Sequence, residues 1–144
     1  MPNDCEEAPG SIRVLLVEDN RDLREVLARY LSHKNIETTA CSDAEEARSA
    51  AAGKSFDVLL VDMVLPRERG PELVKDLRQA GSRSRVIIMS GYAYDFHDPT
   101  LQEIYPDRII LKPCNLSELA EEIRTLAAMP IASKPAANGE GEGD

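Results

Sequence analysis

The chain is poor in the residues that build thiolate metal sites and cross-linked scaffolds. Among its 144 residues are three cysteines and two histidines. Cys5, Cys41 and Cys114 are widely spaced, odd in number and form no Cys-x-x-Cys pair. Neither a zinc site nor a disulfide framework has a ligand set here, and the thiols read as buried or incidental ones in a reducing compartment. Basic charge is also short. Lys and Arg number 17 against 26 Asp and Glu, a formal net charge of −9, which argues against general nucleic-acid binding. No apolar run approaches the ~20 residues that cross a bilayer, so no membrane contact is expected. Met1–Gly10 is acidic and lacks the basic start and apolar run of a signal peptide. A soluble, cytoplasmic protein is the expectation.

What is present suits one α/β domain. Hydrophobic residues make up 42% of the chain, and a domain of this size hides roughly two-thirds of the surface its unfolded chain exposes. Residues 1–10 read as a flexible N-terminal segment and 11–129 as the folded domain. The Pro, Ala, Ser and Gly that follow Met129, with the acidic run Gly139 to Asp144, read as a disordered tail over 130–144.

Within the folded part, apolar runs alternate with helical patterns. Arg13–Val17, Glu37–Cys41, Phe56–Val61, Arg85–Met89 and Arg108–Leu111 read as strands. Asn20 is placed to cap a helix whose apolar face is Leu23, Val26, Leu27, Tyr30 and Leu31. Ser42 or Asp43 can cap a second helix that runs through Ala52 and stops at Gly53. Pro66 and Gly70 bracket a loop before a third helix through Leu73, Val74 and Leu77. Tyr92–Asp98 reads as a polar, aromatic loop, and Pro99 opens a short fourth helix to about Tyr105. Leu116, Leu119, Ile123 and Leu126 line the last helix, capped by Asn115 or Ser117. Alternation of this kind predicts a flavodoxin-like, doubly wound, five-stranded parallel sheet with five helices. The expected strand order, 2-1-3-4-5, comes from analogy with that fold.

The polar residues that end these strands carry the chemistry. Glu18-Asp19 follow the first strand, Asp62 the third, Ser90-Gly91 the fourth and Lys112-Pro113 the fifth. Strand ends on one edge of an open α/β sheet form its ligand site. Three convergent carboxylates repel one another, and a divalent cation relieves the repulsion; an all-oxygen donor set without His or Cys suits Mg²⁺. A carboxylate on a loop can act as a nucleophile toward phosphorus and form an aspartyl-phosphate. Mg²⁺, the Lys112 ammonium and the Ser90 hydroxyl would then share the phosphoryl oxygens.

The pieces Val14 to Asp19, Asp57 to Pro66, Gly70 to Leu73, Met89 to Tyr92 and Leu111 to Pro113 resemble, in order and spacing, the receiver domain of response regulators in two-component signalling. The resemblance covers about Ile12 to Leu126. It implies Asp62 as phosphoacceptor, Glu18 and Asp19 as Mg²⁺ ligands with the carbonyl of Val64, Ser90 as switch hydroxyl and Lys112 as a phosphoryl contact. It implies a histidine kinase or histidine phosphotransfer protein as donor, and self-catalysed phosphorylation and dephosphorylation rather than conventional enzyme activity. A monomer or weak homodimer is expected, since the family often pairs through its fourth helix, fifth strand and fifth helix.

Two positions depart from the family pattern. Ile109 stands three residues before Lys112, where the family usually has an aromatic that turns inward behind the hydroxyl; Tyr92 or Tyr94 could substitute as the mobile ring. Arg69, preceded by Arg67 and Glu68, stands before Gly70 where the family often has an acid. This basic loop could receive an acidic partner or be a solvated loop. Ser90-Gly91-Tyr92 resembles receivers of hybrid sensor kinases more than those joined to DNA-binding domains. If the chain is complete, the expectation is a single-domain regulator acting by protein contact. The alternatives are a receiver excised from a hybrid histidine kinase and a phosphorylation-independent interaction module. A dehalogenase-type phosphatase is a third, but that chemistry wants an acid two residues after the nucleophile, where Val64 stands.

Overall fold

The computed structural model describes residues 11–129. In chain order the elements are β1 (Ile12–Val17), α1 (Arg21–His33), β2 (Ile36–Cys41), α2 (Ala44–Gly53), β3 (Val58–Asp62), β4 (Val64–Leu65), β5 (Glu68–Arg69), α3 (Gly70–Gln79), β6 (Arg85–Ser90), a 3-10 helix (Ala93–His97), α4 (Pro99–Ile104), β7 (Arg108–Leu111) and α5 (Leu116–Ala128). Five strands form one sheet in the order β2-β1-β3-β6-β7, and every pair in it is parallel. With the main strands counted alone, this is the doubly wound order expected from the sequence.

Side chains alternate between the two faces of a strand, so each central strand feeds two cores. Leu15, Val17, Leu59, Val61, Val86 and Ile88 meet Ala47 of α2, Leu73, Val74 and Leu77 of α3, and Leu101 and Ile104 of α4. Val14, Leu16, Val58, Leu60, Ile87 and Met89 meet Leu27 and Leu31 of α1 and Leu119, Ile123 and Leu126 of α5. Each such Leu, Ile or Val contributes roughly 1.5–3 kcal/mol by leaving water. A three-layer stack results, and it fixes the strand ends to which the polar residues belong.

The caps that define the helix starts are those the sequence offers. Asn20 accepts from the Leu23 N–H at 2.9 Å, Asp43 from Glu46 at 2.8 Å and Asn115 from Glu118 at 3.0 Å. Of the α1 face, Leu27 and Leu31 are buried, but Val26 is 51% exposed, at the margin of the apolar stripe.

Several boundaries differ from the sequence expectation. The third strand begins at Val58 rather than Phe56, because Asp57 turns its carboxylate onto the Arg13 N–H. Gly53 is the last residue of α2, with Lys54 as its extended C-cap. The expected loop between Pro66 and Gly70 is a small antiparallel hairpin, β4 with β5, turned by Arg67 at φ 68°. Five residues of the expected 92–98 loop wind into the 3-10 helix. The short fourth helix is present, ending at Tyr105 in a left-handed conformation. Cys41 is buried and Cys114 half-buried; burial pushes the Cys41 thiol up to about 11, away from reactivity at neutral pH. Cys5, the N-terminal segment 1–10 and the tail 130–144 lie outside the described residues.

Candidate functional site

β1 and β3 run side by side, with Val17 paired to Val61, so the residues that follow them emerge together. Glu18 is buried at the end of β1, and Asp62 is the last residue of β3, 7% exposed. Asp19 is exposed at the rim. Carboxylate oxygens from Glu18, Asp19 and Asp62 all lie within 4.8 Å of one another. Local structure holds the acids in place. The Glu18 N–H donates to the Cys41 carbonyl at 3.0 Å, the Asn20 N–H donates to Glu18 Oε2 at 3.0 Å, and Arg24 of α1 reaches back to the Glu18 carbonyl at 2.9 Å.

Lys112 leaves β7 on the same edge and turns its ammonium inward. Its Nζ sits 2.8 Å from Glu18 Oε1 and 3.1 Å from Asp62 Oδ2. The Lys112 N–H donates to the Ser90 carbonyl at 2.7 Å, which joins its backbone to β6. Three carboxylates against one ammonium leave a formal charge of −2 on this cluster. Burial, then the charges of Glu18 and Asp19, outweigh the pull of Lys112 and raise the Asp62 carboxyl from 3.8 to about 6. For Lys112, burial acts to lower the pKa, but the hydrogen bond to Glu18 and the charge of Asp62 prevail and raise it. Lys112 therefore stays charged across the physiological range.

The donor set fits Mg²⁺. It is all oxygen, and its members are within reach of one cation. Val64, whose carbonyl the sequence reading added to the ligands, opens the hairpin two residues past Asp62 with its side chain 55% exposed.

Ser90 is a different case. It is fully buried at the end of β6, and its hydroxyl is bound to its own loop rather than to the acids. Ser90 Oγ lies 2.6 Å from Asp95 Oδ2 and 2.8 Å from the Tyr92 carbonyl, and it accepts from the Tyr92 N–H at 3.1 Å. Asp95, 8% exposed, is a residue that the sequence reading did not single out. An acid five positions past a serine carries no signal until a 3-10 helix folds it back. Tyr92 is 60% exposed, and Ile109 is half-buried against the core on the α2–α4 side. The side chain of Tyr94 lies outside the described part of the structure. Arg69, read as a docking charge or a solvated one, pairs within the chain: its guanidinium lies 2.5 Å from Asp98, which caps α4 through the Thr100 N–H.

Comparison with known proteins bears on the family and the fold. The family model of the response regulator receiver domain matches residues 14–124. The transcriptional regulatory protein CpxR of Klebsiella pneumoniae is 30% identical over 114 residues, which cover 79% of this chain and 48% of that protein. The regulatory protein VanRB of Enterococcus faecalis is 26% identical over 116 residues, 81% of this chain and 52% of the relative. The chain thus spans about half the length of these relatives. Among solved structures, a CheY-like receiver domain from Methanospirillum hungatei superposes with a TM-score of 0.75 at 24% identity, covering 81% of this chain and 94% of the other. TrrA of Thermotoga maritima, solved with Mg²⁺ and BeF, gives 0.72 at 24% identity, covering 80% and 98%.

Proposed function

The chain belongs to the response-regulator receiver family, and on that footing we propose that it accepts a phosphoryl group on Asp62 from a phosphohistidine and thereby switches its contacts with another protein. The observation that carries the proposal is the placement of Asp62. It is buried at the end of β3, with the Lys112 ammonium at 3.1 Å and two further carboxylates within 4.8 Å.

Each group has a part that follows from its chemistry. The Asp62 carboxylate attacks phosphorus; an O–P bond forms as the P–N bond of the donor breaks, and the imidazole departs with a proton. Glu18, Asp19, Asp62 and the carbonyl of Val64 would hold Mg²⁺, which when bound offsets the charge of the acids and of the incoming oxygens. Lys112, now held by Glu18 and Asp62, turns part of its charge toward the phosphoryl group. Ser90 moves from its loop to a phosphoryl oxygen. With Ile109 in place of a ring, the change passes through Ser90 to Tyr92, whose backbone N–H and carbonyl both bond the hydroxyl. A histidine kinase or phosphotransfer protein is the proposed donor, in the cytoplasm.

The test is intact mass spectrometry after incubation with Mg²⁺ and a small-molecule phosphoryl donor. The expected result is one added phosphoryl group, absent from Asp62→Asn and from a metal-free sample. Folded wild-type protein that gains no mass and shows no Mg²⁺ binding would favour a phosphorylation-independent interaction module.

A further inference from the structure

We propose that Asp95 is a positioning residue that holds the Ser90 hydroxyl away from the phosphoryl site, so that phosphorylation must compete with a built-in carboxylate for one proton. The inference rests on the reading of Ser90 as a phosphoryl contact. Three observations support it.

The first is stoichiometry. A serine hydroxyl has one proton to donate. Two acceptors face Ser90 Oγ: Asp95 Oδ2 at 2.6 Å and the Tyr92 carbonyl at 2.8 Å. The 2.6 Å distance falls in the range of a charge-assisted O–H to carboxylate bond, the stronger kind. Asp95 therefore takes the proton in the unphosphorylated protein. A phosphoryl oxygen can have it only if Asp95 gives it up.

The second is burial. Ser90 is 0% exposed and Asp95 8% exposed. Water cannot readily replace the lost bond, so each conformation of the hydroxyl leaves the other acceptor wanting a donor. An anion in one place and an anion in the other, competing for one buried donor, make a two-position element. Ligands bias such an element only by binding its two positions unequally.

The third is the connection outward. Asp95 belongs to the 3-10 helix Ala93–His97, and its N–H donates to the Tyr92 carbonyl while its own carbonyl accepts from Asp98. When Ser90 leaves, the Asp95 carboxylate and the Tyr92 N–H both lose their bond to its oxygen in the same step. The segment whose bonds to Ser90 are lost carries Tyr92, 60% exposed, and Phe96, 38% exposed. The competition thus couples an event inside the site to two surface aromatics, in a chain whose β7 has Ile109 and no ring to rotate.

The test uses the full chain and a phosphoryl mimic. Wild type, Asp95→Ala, Ser90→Ala and the double variant are titrated with beryllium fluoride in saturating Mg²⁺, with the amide resonances of Gly91 and Tyr92 as readout. Asp95→Ala is expected to bind the mimic about three- to tenfold more tightly, the Tyr92 carbonyl still holding part of the proton. In the Ser90→Ala background the same change should have no effect, since no hydroxyl is left to compete for. Unchanged or weaker binding by Asp95→Ala overturns the proposal. So does an equal gain in both backgrounds, which would mean plain repulsion between Asp95 and the anion. Asp95→Asn keeps the shape and one acceptor oxygen, and should give a smaller gain of the same sign; it decides the matter if Asp95→Ala does not fold. Failure of wild type to bind the mimic would overturn the phosphoacceptor reading and this inference with it, whereas binding by wild type with no response to Asp95 removes this inference alone.

Discussion

The two ends of one sheet handle their acids in opposite ways. At the amino edge, Asp57 accepts the Arg13 N–H at 2.9 Å, and Asp107 accepts the Val86 N–H at 2.8 Å. Their backbones join in too: Asp57 N–H to Arg13 carbonyl at 2.8 Å, Asp107 N–H to Val86 carbonyl at 2.9 Å. These carboxylates continue the parallel ladder past the ends of the strands, and Arg85 adds an ion pair to Asp107 at 3.4 Å. At the carboxyl edge, Glu18, Asp19 and Asp62 crowd one another and share the Lys112 ammonium. An acid at a strand end is therefore not a site by itself. What distinguishes the two edges is whether the acids stand apart, each bonded to the backbone of a neighbouring strand, or crowd together around one ammonium.

The hardest break in this comparison is steric. At the carboxyl edge the start of α3 backs onto the acceptor itself: a Cβ on Gly70 would stand 2.0 Å from the Asp62 carbonyl oxygen and 3.0 Å from Val61 Cγ1. Backbone must shift to admit it, and it would shift at Asp62. Gly70→Ala is expected to destabilise the protein by about 3 kcal/mol or more, measured by urea denaturation, and to weaken Mg²⁺ binding. Gly91, on the same edge, has open space around its Cβ position, and Gly91→Ala should change stability by less than about 1 kcal/mol. Equal effects at the two glycines would show that close backbone approach is not what shapes the acceptor loop.

The next effect is electrostatic and carries a sign. The Asp62 pKa is raised from 3.8 to about 6, chiefly by burial and then by Glu18. A carboxyl raised in the folded state favours folding most below its unfolded value, and this contribution is lost as pH rises through the folded value. In metal-free protein, then, ionised Asp62 works against the fold above about pH 6. Asparagine mimics the protonated acid, so Asp62→Asn should stabilise the metal-free protein by about 1–3 kcal/mol at pH 8, and by little near pH 4. Mg²⁺ competes with the same proton, so its affinity for wild type should fall as pH drops through about 6. Denaturation curves at the two pH values, with and without the metal, measure both effects.

The contrast between the edges also explains what could be read from the sequence. Periodicity marked the five strands and the helices on either side, because buried strands are continuous apolar runs and helices repeat every three or four residues. Glu18, Asp19, Asp62 and Lys112 were legible as a set because topology alone brings the ends of β1, β3 and β7 to one edge. The roles of Asp57 and Asp107 were not legible, since their partners are backbone N–H groups of other strands, and backbone leaves no mark in a sequence. The hairpin of β4 and β5 escaped because Arg67, not a glycine, adopts its positive φ. Asp95 escaped because its importance depends on a 3-10 turn in a segment without apolar rhythm, and Arg69 was read as a free charge because Asp98, its partner, is 29 residues away.

The smallest effect sharpens the comparison most, because it applies the same chemical change to the other edge. Asp107→Asn keeps an oxygen that can accept the Val86 N–H, but it removes the charge that strengthens that bond and the ion pair with Arg85. Hydrogen bonds to charged groups contribute about 1.5–3 kcal/mol and neutral ones about 0.5–1.5, so the loss should be about 1 kcal/mol. Its sign is opposite to that of Asp62→Asn in metal-free protein at pH 8. Added Mg²⁺ should leave the Asp107→Asn difference where it was, since among the described residues the acids grouped closely enough to hold a cation are Glu18, Asp19 and Asp62, at the other edge. For Asp62→Asn the metal should erase the gain or reverse it, because wild type alone has the full acid set to bind and be stabilised by the ion. Two Asp to Asn changes on the same sheet, opposite in sign and differing in their response to one ion, are what the geometry requires. If both destabilise equally and neither responds to Mg²⁺, the acids at the carboxyl edge are structural caps like those at the amino edge, and the charge left at that edge has no ligand to meet.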